Sequence, residues 1–98
     1  MTVAPTPREA AALEVARLVD LLATLPASGV VPELIELGGH LERAVRAFHM
    51  EAIRFRAFTM SRLIKQHIAD LPPDVPALME SITAALEAAG FHTKSVTR

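Results

Sequence analysis

The apolar face of the central stretch changes sides halfway along, and a single buried helix face cannot accommodate that. Taking 32–71 as helical at about 100° per residue, Leu34, Leu37, Leu41, Ala44, Val45, Phe48, Ala52 and Phe55 fall on one stripe. Met50, Ile53, Ala57, Met60, Ile64, Ile68 and Leu71 fall on a second stripe, rotated by roughly 140° from the first. A surface helix of a small monomer needs one stripe. Two stripes on nearly opposite sides require two separate packing partners, and the expectation is a protein that associates with itself.

The flanking segments read as one helix each. Thr6, Pro7 and Glu9 form a capping box with proline at the first helical position. They open a helix over 7–25 whose face is Ala11, Val15, Leu18, Leu22 and Leu25, closed by Pro26 and Gly29. Pro32 opens the central helix, 32–71, and Pro72-Pro73 stops it. Gly38 and Gly39 each cost about 1 kcal/mol relative to Ala inside a helix. They mark either a break or a place where another backbone comes close, and the break is the favoured reading. The region of the face change, Phe48 to Ile53, holds no Gly or Pro, so the helix is expected to run through it. Asp74 caps a third helix over 75–89, with Leu78, Ile82, Ala85, Leu86 and Ala89 as its stripe. Gly90 then supplies a left-handed ending, Phe91 folds back on the last turn, and 92–98 is a frayed tail.

Strand-period alternation and repeats are absent, so the fold class is all-α. The expected architecture is a single domain over 1–98: three main helices with a long central one, packed as a dimeric helical bundle. Met50, Ile53, Ala57, Met60, Ile64 and Ile68 are the expected dimer core. An apolar share of 51% in 98 residues is slightly high, which fits apolar surface covered by a partner.

Charge is segregated along the chain. Residues 1–39 carry two basic and five acidic side chains, residues 40–69 six basic and two acidic, and residues 70–98 two basic and four acidic. Within the basic segment Arg43, Arg54 and Lys65 recur every eleven residues, which returns them to one line on a helix with about 20° of drift per repeat. Phe58 and Arg62 stand beside that line. Aromatic and arginine side chains together are the composition of interface anchors, so Arg43, Arg54, Phe58, Arg62 and Lys65 are the candidate contact surface for an acidic protein partner or an anion. The competing explanation is an ordinary solvated face.

Other chemistry is thinly represented. Glu33, Glu36 and His40 share a helix face, but their spacing is not the Glu-x-x-His of dinuclear carboxylate bundles, and no metal or cofactor is expected. Glu42, His49, Arg56 and His67 form a loose polar line that surface histidines explain. Ser28, Ser61, Ser81 and Ser95 lack a nucleophile setting, and no glycine-rich phosphate loop exists. Helix-turn-helix spacing, zinc ligands and an aromatic RNA-binding signature are missing, so nucleic acid is not the expected partner. The chain has no cysteine, no apolar run long enough for a membrane span and no secretory-type start, which leaves the cytoplasm by elimination. The first function reading is therefore a homodimeric protein-interaction module, an adaptor or regulatory subunit. The second is a small helical enzyme or ligand binder that gathers arginines at the dimer seam around an anionic substrate.

Overall fold

The computed structural model describes residues 6–91. They form four α-helices and no strand: α1 (Pro7–Ala23), α2 (Val31–Ala47), α3 (Met50–Gln66) and α4 (Asp74–Ala88), with a single 3₁₀ turn at Ile68–Asp70. The expected tail at 92–98 lies outside the described residues.

The start of α1 is the expected capping box. The Glu9 N–H donates to Thr6 Oγ1 at 3.1 Å, and the Thr6 N–H donates to Glu9 Oε1 at 3.0 Å. The end of α4 is equally direct. Gly90 takes φ 95°, its N–H bonds the Glu87 carbonyl, and the Phe91 N–H reaches back to the Leu86 carbonyl at 2.9 Å. Phe91 is buried there. Asp74 is the first residue of α4 rather than its cap, and its side chain makes no capping bond.

The central stretch corrects the sequence reading twice. The helix does not break at Gly38-Gly39; both glycines lie within α2. It breaks instead at Phe48 and His49, where no Gly or Pro announces it. Phe48 adopts φ 62°, ψ 37°, its N–H bonds the Val45 carbonyl at 3.2 Å, and the His49 N–H bonds the Ala44 carbonyl at 3.0 Å. This is the same reversal that ends α4, made with a phenylalanine in the place of the glycine. A left-handed residue with a side chain costs about 1–2 kcal/mol. Fully burying one Ile or Met gains about 1.5–3 kcal/mol, and the turn lets Ile53, Met60 and Ile64 be buried at once. The second stripe wins, and the chain bends to serve it.

The expected dimer core changes accordingly. Ile53, Ala57, Met60 and Ile64 are buried by the chain's own helices, while Met50 and Ile68 at the two ends stay about half exposed. The middle of each displaced stripe therefore finds its partners within one chain and supplies no argument for a second copy, while Phe48 and Phe55 of the first stripe stay exposed.

Of the two glycines, Gly38 marks a close approach between helices. A Cβ placed on it would stand 2.6 Å from Val19 Cγ2, so α1 and α2 approach closely there. Around this contact α1 packs against α2 and α4, and α2 against α3. One core results, centred on Val15, Leu18, Leu22, Leu34, Leu41, Val45, Met60, Ile82 and Leu86. The side of the bundle between α3 and α4 is the most sparsely packed.

Candidate functional site

That open side is a groove of about 800 Å³. Its position follows from how the two helices are held. Val75, Met79, Ile82 and Leu86 tie α4 into the core, and the Ser81 hydroxyl donates to Glu14 Oε1 of α1 at 3.0 Å. Ile53, Ala57, Met60 and Ile64 tie α3 into the same core, where its chief neighbour is α2. Each helix is anchored to a different neighbour, and a seam remains between them.

The floor of the groove is apolar, built from Ala57, Ile64 and Met79. Above it Phe58 and Ile68 remain 43% and 53% exposed, large apolar side chains that the chain itself leaves uncovered. The α3 wall carries Arg62 and Lys65, and the α4 wall carries Glu80 and Glu87 flanking the small residues Thr83 and Ala84. The walls have opposite charge yet do not meet. Among the described residues the ion pairs are Arg17 with Glu14 at 3.5 Å and Arg46 with Glu42 at 3.2 Å, each within one helix. None crosses the groove.

Of the five expected contact residues, Phe58, Arg62 and Lys65 line this groove. Arg54 is exposed on α3 but is not part of the lining, and Arg43 belongs to α2. For Arg43 the turn at Phe48 is the cause, since it interrupts the eleven-residue line and puts that residue on another helix; Arg54 shares α3 with Lys65 but precedes Ala57, where the lining begins. The Arg62 guanidinium lies 5.8 Å from the Phe58 ring centre, and Arg56 lies 5.6 Å from that of Phe55. Such stacking holds each arginine over an exposed ring and keeps its charge at the surface.

The α4 wall was missed by the sequence reading. Glu80, Thr83 and Glu87 recur at three and four residues and so share a helix face, but nothing in α4 alone says that this face looks at α3. The metal-type candidates do not assemble. Glu33 and Glu36 are exposed, and no group of three or more His, Asp or Glu side chains with ligand geometry occurs among the described residues. Glu42 is engaged by Arg46, and His49 and His67 sit at opposite ends of α3. His40 Nδ1 is buried without a hydrogen-bond partner among the described residues. No described helix is long and apolar enough to cross a membrane.

No protein-family model, curated protein or solved structure shows significant similarity to this chain.

Proposed function

We propose that this chain is a small helical protein-interaction module, an adaptor or regulatory subunit, that works as a homodimer paired through the α3–α4 groove. The observation behind it is the groove itself: an apolar floor, two exposed large apolar side chains, and opposed charged walls that make no ion pair with each other. Exposed apolar surface rimmed by charge is the usual composition of a protein interface. A second copy fits it on charge, because it brings both a basic α3 and an acidic α4 to the same seam.

Light scattering behind a sizing column tests the pairing. The expected mass is twice the chain's 10.6 kDa. Ala84→Arg and Phe58→Asp place charge in the exposed groove without touching the core, and each is expected to give a monomer of unchanged helicity. A monomeric native chain refutes the homodimer; a dimer indifferent to both substitutions refutes the groove as its seam.

The volume of the groove also falls in the range of ligand pockets, which keeps an anionic small molecule at Arg62 and Lys65 as a second reading. Glu80 and Glu87 on the facing wall oppose it electrostatically. Stabilisation of the chain by one specific anion in a thermal-shift panel would favour that reading over the first.

A further inference from the structure

We infer, resting on the pairing reading above, that the two copies meet with their two-fold axis running along the groove, so that α3 of each lies against α4 of the other. The short connection 67–73 returns α4 along α3, so the two helices line the groove in opposite directions. Ile68 and Pro76 stand at the linked end, and Phe58 and Glu87 at the far end. At a rise of about 1.5 Å per residue, Lys65 and Glu80 both lie roughly one turn from the linked end. Arg62 lies about two turns from it and Glu87 about three, a difference that a long arginine side chain spans.

Two open faces related by a two-fold axis can meet in two ways. With the axis across the helices, α3 faces α3 and α4 faces α4. The wall of Arg62 and Lys65 then confronts the same wall of the other copy, and the wall of Glu80 and Glu87 does likewise. Every charged wall meets its own sign, which disfavours that pairing. With the axis along the groove, each basic wall meets an acidic one at the same level. Lys65 faces Glu80 of the partner subunit, and Arg62 falls within reach of Glu87 of the partner subunit. The apolar residues agree with this choice. Phe58 of each copy enters the other's groove at the level of the small side chains Thr83 and Ala84, while Ile68 at the linked end meets Pro76 of the partner subunit, and together they cover the floor of Ala57, Ile64 and Met79. Each copy thus completes the site of the other.

The test is a charge exchange. In one variant Arg62→Glu and Lys65→Glu make both walls acidic; in the other Glu80→Lys and Glu87→Lys make both walls basic. Each alone is expected to weaken dimerisation at least tenfold, since both halves of the seam now repel. An equimolar mixture is expected to recover the native affinity, because both halves attract again. The single changes Lys65→Glu and Glu80→Lys give the same pattern at lower amplitude should a double variant fail to fold.

The chain holds no cysteine, so introduced ones report proximity cleanly. A mixture of Lys65→Cys and Glu80→Cys chains is expected to form disulfides between the two variants and not within either. Overturning results are equally specific. If the native chain dimerises, both charge variants dimerise as it does, and Lys65→Cys does not link to Glu80→Cys, then this arrangement falls while the pairing stands. If the native chain is monomeric, the pairing falls and takes the arrangement with it. Failure of the mixture to recover overturns the charge pairing itself.

Discussion

Gly38 and Gly39 are neighbours in one helix, yet adding a methyl group to each should move stability in opposite directions. At Gly38 the new Cβ would stand 2.6 Å from Val19 Cγ2. Carbon atoms in good contact are about 3.5–4.0 Å apart, so the pair must separate by roughly 1 Å. Val19 has little room to yield, because a β-branched residue in a helix holds one strongly preferred χ1. Overpacking of this kind costs about 1–3 kcal/mol. Against it stands the helix preference of Ala over Gly, about 1 kcal/mol. Gly38→Ala is therefore expected to destabilise by about 1 kcal/mol net. At Gly39 the nearest atom to the new Cβ is Arg43 Nη1 at 3.7 Å, an ordinary contact. The preference term is then unopposed, and Gly39→Ala is expected to stabilise by about 0.5–1 kcal/mol.

Urea unfolding followed by far-UV circular dichroism reads both, at one fixed protein concentration so that association does not enter the comparison. With a slope of about 1 kcal/mol per molar urea, the two midpoints should separate by about 1.5–2 M, one on each side of the native chain. A double-mutant cycle with Val19→Ala isolates the cause. Without Cγ2 at residue 19 the clash disappears, and Gly38→Ala should become stabilising, with a coupling of about 1–3 kcal/mol. If Gly38→Ala stabilises as much as Gly39→Ala, or if its cost survives in the Val19→Ala background, the close approach of α1 and α2 is not what that glycine serves.

Three further outcomes follow from the packing. Phe48→Gly should be more stable than Phe48→Ala by about 1 kcal/mol, the reverse of the order in a helix interior, because residue 48 is left-handed; thermal melts that rank Ala above Gly would restore the continuous helix. Ile53→Ala and Met60→Ala should each lower unfolding free energy by about 2–5 kcal/mol in chemical denaturation at concentrations where the chain is monomeric, since both side chains are buried within one chain; a loss confined to dimerisation would return them to an interface. Thr6→Ala removes the acceptor for the Glu9 N–H and should cost about 1 kcal/mol, read as a melting shift of about 4–8 °C.

The helix ends that were legible in the sequence are those whose chemistry is local. Thr6, Pro7 and Glu9 specify a first turn by their own hydrogen bonds, and Gly90 with Phe91 specifies a last one, so neither needs knowledge of the rest of the chain. The displaced stripes of the central stretch were legible too, but their resolution was not. Rules for ending helices look for Gly or Pro, residues whose own backbone preferences favour a turn. At Phe48 the local preference is unfavourable and is overruled by side chains further along the chain, Ile53, Met60 and Ile64, that are buried only if the chain turns. Gly38 misled for the complementary reason. Its local cost is that of a helix breaker, and it is repaid by a contact with Val19, nineteen residues away.

The groove was half legible on the same grounds. A basic segment 40–69 beside an acidic segment 70–98 can be read as complementarity inside the fold or across a dimer, and charge counting alone does not choose between them. Whether opposite charges meet depends on which neighbour each helix is anchored to, and here α3 and α4 lean on α2 and α1 more than on each other. Opposition in sequence then becomes opposition across an open seam. Arg62 and Lys65 hold one side, Glu80 and Glu87 the other, and no ion pair joins them among the described residues. A charge pattern that is internally complementary but spatially unclosed is also self-complementary. For this reason the turn at Phe48, although it removes the first argument for a dimer by burying the second stripe, leaves a better one at the edge of the bundle.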